Sequence, residues 1–406
     1  MSAIMMRRTM LNVILCVCST LSLADGAEPL NWRALPSPLT LQKLGLELRW
    51  SNQAVINPTR DQITHLHMDE ELVYVLGSQG TLTAFEVETG TQRWALSLGR
   101  YHEATFAPAS NQRLVLAVVG TTMFGIDKRR GNVRWRIRLP GQPSAGPSLD
   151  DRHIYVPTLD GSLYAYEMRK VEEHYLEQRL PAWSKDAIRW RYQAGDIITS
   201  PPLTYSTLVL FGSRDGSLYA VSRDDRRVQY IFETDAPIVA PLALLGDTLF
   251  IASEDYNFYA LKPSNGRVLW EFVAGTPIRK PPYSVNNHLF VTPDAGGMFC
   301  LEASDGQQRW WHPHLTQLLA VSLQRGYFLD DRQHLNIVDL QTGQSLGILP
   351  LYGYPLALTN DRTDRILLAT TSGRVLMLAE LGRDFPLYHK NPEHRPLLPE
   401  FEPEEQ

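Results

Sequence analysis

The sequence predicts an all-β fold: an eight-bladed β-propeller of four-stranded antiparallel blades, with an N-terminal strand closing the last blade. Three observations predict it. A six-residue phrase, "GSLYAY" at 161–166 and "GSLYAV" at 216–221, recurs in weaker form about every forty residues. An aromatic residue stands ten positions after the fifth residue of most copies. One tryptophan, Trp50, precedes the first copy and belongs to none.

The fifth residues are Ala84, Gly125, Ala165, Ala220, Ala260, Cys300, Ile337 and Met377. Two positions before each, and one after, every residue is apolar. Side chains of a strand alternate between faces, so this strand is covered on both sides. Six positions after, five copies have glycine: Gly90, Gly131, Gly266, Gly306 and Gly343. Glycine there supplies the positive φ of a hairpin turn. The aromatic follows: Trp94, Trp135, Tyr230, Trp270 and Trp310, with Trp190 displaced by an insertion. Small residues at the fifth position let neighbouring blades approach, and the aromatic packs between them. A further turn and an apolar strand precede each phrase, as in "TLVLFGS" at 207–213, and a short initial strand such as "SPPLT" at 200–204 completes the four.

Closure follows from the same residues. The eighth copy, 366–381, has no tryptophan ten residues after Met377, and Trp50 is the orphan. The N-terminal strand is therefore expected to supply the last strand of the last blade, which removes free sheet edges. The seventh copy also lacks its aromatic and offers Leu346 and Ile348 near that place.

Residues 46–382 are thus expected to form the propeller. Residues 1–24 read as a secretory signal: Arg7 and Arg8, a short apolar run, then Ser22 and Ala24 before a cut, with Ala24 and Gly26 marking the alternative. The run is too short to span a membrane, so no transmembrane segment is expected in the mature chain. Residues 25–45 read as a linker. Residues 168–187 interrupt the third blade, and Val171, Tyr175, Leu176 and Leu180 suit a short amphipathic helix before Pro181. This insertion reads either as surface decoration or as a docking site. The end, 383–406, is rich in proline and glutamate and is expected to be disordered or loosely draped.

Composition bounds the function. Hydrophobic content is 44% and the formal charge is −5, and loss of the leader takes it to −7. A net negative chain with no basic run is not expected to bind nucleic acid. Cleavage also removes Cys16 and Cys18, neither in a sequence suited to lipidation. Cys300 is left, in a slot that is alanine in four copies, and is read as a packed structural thiol.

The phrases "AFEVETGTQRW" at 84–94, "ALKPSNGRVLW" at 260–270 and "CLEASDGQQRW" at 300–310 resemble the tryptophan-docking repeat of PQQ-like β-propellers, over roughly residues 46–382. One branch of that family contains quinoprotein dehydrogenases that bind PQQ and calcium, many with adjacent cysteines over the cofactor. The mature part of this chain has no such pair, and no set of calcium ligands is evident. Another branch contains smaller scaffolds, among them a lipoprotein subunit of the outer-membrane β-barrel assembly machinery. This second branch implies an exported, periplasmic or envelope-associated, non-enzymatic protein without cofactor. A PQQ- and calcium-dependent oxidoreductase is the alternative.

Loops from each aromatic strand to the next blade are expected to line one mouth of the ring. They hold Tyr101, His102, Glu103, Asp196, Asp235, Arg279, Lys280, His312, His314, Tyr352 and Tyr354. Two histidines do not make a zinc site, and His102 beside Glu103 lacks a nucleophile and oxyanion donors, so neither metal binding nor catalysis is expected. The mixture suits a protein or peptide partner. Trp50, Trp94, Trp135, Trp190, Tyr230, Trp270 and Trp310 are assigned to docking between blades.

Overall fold

A computed structural model describes residues 35–57, 59–99 and 103–390. The leader and residues 391–406 lie outside the described residues. Eight four-stranded antiparallel sheets follow one another around a ring. In blade 1 the strands are Ile63–Met68, Leu72–Gly77, Thr81–Glu86 and Gln92–Ser97, in sheet order. Blades 2 to 7 repeat the order over residues 105–138, 148–193, 203–233, 243–273, 283–312 and 315–350. Blade 8 takes Leu356–Ala357, Ile366–Ala369 and Arg374–Glu380 from the end of the chain and Leu46–Gln53 from its beginning, with Trp50 opposite Met377.

Register explains the repeat. The fifth residue of each phrase lies on the third strand and pairs across to the aromatic on the fourth: Ala84 with Trp94, Ala220 with Tyr230, Ala260 with Trp270, Cys300 with Trp310. A bulge follows the pair in each of these blades, turning the aromatic toward the next blade. There the indole N–H donates to a carbonyl of the following turn. Trp50 reaches Val87 at 2.6 Å, Trp94 reaches Lys128 at 2.9 Å, Trp190 reaches Arg223 at 2.7 Å, Trp270 reaches Ala303 at 3.3 Å and Trp310 reaches Leu340 at 2.9 Å. The hydroxyl of Tyr230 donates to Pro263 at 2.8 Å. The turn glycine lies under the ring: a Cβ on Gly131 would stand 2.2 Å from Trp94.

Two joints depart from the rule. Trp135 is buried but its indole nitrogen has no partner. The expected acceptor, three residues past Ala165, is the carbonyl of Met168, which instead opens the helix of the insertion. Two short helices must be distinguished here: α1, Pro38–Lys43, before the closing strand, and α2, Met168–Leu176. Because α2 consumes its own carbonyls, Trp135 packs beneath Val171 and lies over Gly125, where a Cβ would come within 2.2 Å. In blade 7 the docking position opposite Ile337 is Gly347. Leu44, which follows α1, fills the space beside it, while Leu346 and Ile348 are exposed. The stretch read as a linker therefore contributes core: Leu41 is buried among Leu349, Leu351 and Leu378.

Residues 383–390, the start of the end expected to be disordered or loosely draped, run against blade 8. The Leu387 N–H donates to Asp364 at 3.0 Å, the His389 N–H to the Arg362 carbonyl at 2.7 Å, and Lys390 pairs with Asp361.

Charged groups are buried at the joints around blade 1. Lys128 bridges Asp69 at 3.0 Å and Glu71 at 2.9 Å. Nearby, burial and then the Arg362 charge push the His67 imidazole down from 6.5 to about 4, against the pull of Asp69 and Glu70. Its folded pKa lies below its unfolded one, so the unfolded chain takes up a proton that the native state refuses. Stability from this group is full above pH 6.5 and declines as the pH falls toward about 4. Melting curves between pH 7.5 and about 4.5 should fall, and fall less for His67→Gln. Parallel curves for the two proteins would remove His67 as the cause.

Candidate functional site

Strand direction places the loops between successive blades and the hairpins between second and third strands at one end of the ring. The other two sets of turns lie at the opposite end. Inner first strands are tied around the channel: His65 Nε2 to the Thr105 carbonyl at 2.9 Å, Ser144 to Ile198 at 2.6 Å, Thr199 to Val239 at 3.0 Å and Gln317 to Ala357 at 2.9 Å.

Of the residues expected at the mouth, Tyr101 and His102 lie outside the described residues. Glu103 packs against Gly120 of the neighbouring hairpin. Asp196 accepts from the Ile197 N–H at 2.6 Å, and the Asp235 N–H donates to Asp255 at 3.3 Å; the two aspartates sit in separate loops. Arg279 forks onto Glu254 at 2.8 and 3.2 Å and also meets Asp294. Lys280 turns inward to the Thr316 carbonyl at 3.4 Å. His312 and His314 do come together, with ring centres 6.3 Å apart, and His314 lies 3.2 Å from Asp331. Burial and the neighbouring His314 hold the His312 pKa below the usual imidazole value, despite Asp330. Tyr352 is 70% exposed and stands edge-on to His334.

Tyr354 is a correction. It is 1% exposed, packed with Tyr327, Leu351 and Leu376 between blades 7 and 8, and presents nothing to the mouth. One residue, Gly353, separates it from Tyr352, and the backbone turns there, with φ of +91°.

A second layer between blades escaped the sequence reading. Two positions after the docking aromatic, Tyr192, Phe232 and Phe272 meet Tyr219, Tyr259 and Phe299 of the next blade at 5.2–5.4 Å between ring centres. Such tilted and edge-on pairs each add about 0.5–1.5 kcal/mol beyond buried area. The signal was present, since the third-strand partner is Phe or Tyr in five of eight copies.

Among the described residues, no group of three or more His, Cys, Asp or Glu is placed to hold a metal ion. Burial pushes the Cys300 thiol up to about 12, beyond the opposing influence of Arg309, so it is protonated and enclosed. No helix among the described residues is long and apolar enough to cross a membrane.

Comparison with known proteins agrees with this architecture. A family model described as outer membrane protein assembly factor BamB matches residues 78–179, 176–271 and 214–383. A curated relative, the outer membrane protein assembly factor BamB of Burkholderia pseudomallei (strain K96243), is 24% identical over 165 residues, 40% of this chain. The match spans 42% of that relative's length. The crystal structure of BamB from Moraxella catarrhalis superposes with a TM-score of 0.64 at 14% identity, covering 82% of this chain and 97% of that one. The computationally designed Ika8 protein gives 0.63 at 13% identity, covering 80% and 98%. Similarities this low in identity speak for the fold alone.

Proposed function

The chain belongs to the family of the outer membrane protein assembly factor BamB, and from that premise we propose that it is an exported, non-enzymatic scaffold that binds a protein or peptide partner through the ring mouth, in assembly of the cell envelope. In this reading residues 1–24 direct export and are removed. The mature chain, with its propeller over 46–382, works in the periplasm or at the envelope. The observation that carries the reading is the family match, which runs through most of the repeat. The mouth supplies exposed, chemically mixed side chains for a partner: Tyr352 and His314, with the charged loops at Asp196, Asp235 and Arg279 around them.

Cells lacking the protein should lose outer-membrane β-barrel proteins, and the wild-type chain should restore them. The Tyr352→Ala/His314→Ala variant should fold normally, because both side chains are exposed, and should bind the partner about tenfold more weakly. Full restoration by that variant would move the partner elsewhere on the ring. Adding PQQ with calcium should leave the melting temperature unchanged. A saturable rise would instead favour a quinoprotein oxidoreductase.

A further inference from the structure

At the end of the ring opposite the mouth, a cavity of about 660 Å³ opens between blades 2, 3 and 4. Its walls come from the turns at 111–114 and 151–153, the start of α2, and the beginning of the fourth strand of blade 3. It opens where the insertion replaces a tight turn with a helix, α2, whose start faces the turns of blades 2 and 3.

The polar groups of this cavity are unevenly satisfied. Its inner carboxylates are already paired: Glu167 with Arg189 at 3.3 Å and Arg169 at 3.8 Å, Glu172 with Arg134 at 3.9 Å. Arg113 and Arg152 also line it, and neither makes an ion pair among the described residues. The His153 ring lines it too. That side chain is 3% exposed, yet its Nδ1 has no hydrogen-bond partner and lies 3.7 Å from Asp150. The first turn of α2 has no side-chain cap. The groups left without partners are therefore mainly donors and cations.

The wider charge distribution agrees. Residues 111–230 carry 18 Lys and Arg against 13 Asp and Glu, a net +5, in a chain whose formal charge is −5. The sector that holds the cavity is thus the basic side of an acidic ring, which draws in anionic ligands. Asp151 and Asp224 also line the cavity. They disfavour a uniform polyanion such as nucleic acid and suit carboxylates spaced along a chain.

We propose that this cavity is a second binding site, for an acidic peptide segment of a protein partner, with Arg113 and Arg152 receiving its carboxylates. The site is at the far end of the ring from the mouth, so it stands or falls separately from the function proposed above.

The test uses the whole protein and a fluorescein-labelled octapeptide of alternating Glu and Ser, followed by anisotropy at low salt. Saturable binding is expected, weakened at least about tenfold in Arg113→Glu/Arg152→Glu and unchanged in Arg279→Glu at the mouth. Both arginines are exposed, so the double variant should melt with the wild type. The proposal is overturned by absence of saturable binding, by equal binding of the Lys–Ser octapeptide or a short DNA duplex, or by undiminished affinity of the double variant.

Discussion

Arg365→Met should destabilise the protein by about 3–5 kcal/mol, the largest effect expected of a single charged residue here. Arg365 is 0% exposed. From blade 8 it reaches Glu88 in blade 1 at 2.9 Å through Nη2 and at 3.3 Å through Nε. It also donates to the carbonyls of Arg383 at 3.3 Å and Asp384 at 3.1 Å. It therefore spans the joint where the ring closes and holds the segment that leaves blade 8. Methionine keeps much of the volume but leaves the Glu88 charge and two carbonyls without their donor, and removes a cation beside buried Asp364. Chemical denaturation should show the loss directly, and Arg365→Met/Glu88→Gln should recover part of it. A loss below about 1 kcal/mol would mean that water screens the pair and that strand pairing alone holds the joint.

Trp94→Ala should cost about 3–5 kcal/mol, by removal of a buried aromatic. Trp94 is 7% exposed, packs with Leu72, Tyr74, Val115 and Ile126, and donates to the Lys128 carbonyl. Gly131 provides a sharper test, because its φ is +72° and a Cβ there would stand 2.2 Å from Trp94 Cγ. Gly131→Ala meets both the left-handed backbone penalty of about 1–2 kcal/mol and an overpacking cost of about 1–3 kcal/mol. In a Trp94→Ala background the clash disappears and only the backbone penalty remains. The two losses should therefore sum to more than the double variant shows, by about 1–3 kcal/mol. Strict additivity would mean that the indole does not rest on that turn.

The repeat was legible because each blade states the same local rules again. A small residue, an apolar neighbour on each side, a turn glycine and an aromatic all lie within a short stretch of chain, as from Leu82 to Trp94. The candidate mouth was only partly legible. Loop membership could be read, but Tyr352 points to solvent and Tyr354 into the core, and the turn at Gly353 decides between them. The aromatic pairs such as Phe272 with Phe299 were visible as composition, without a partner to give them meaning. Gly347 looked like a missing aromatic, and nothing near it in sequence pointed to Leu44.

By itself, the sequence determined the strand pattern, the eight blades, the docking positions and the closure of the last blade by the N-terminal strand that holds Trp50. These rest on local periodicity, which repetition makes unambiguous. Only the tertiary structure decided which exceptions are filled, which charges are enclosed, and where a cavity opens. Arg365 and Glu88 are 277 residues apart, and Leu44 is farther still from Gly347. Burial and charge pairing depend on what closure brings alongside, and a local pattern carries no record of that neighbour.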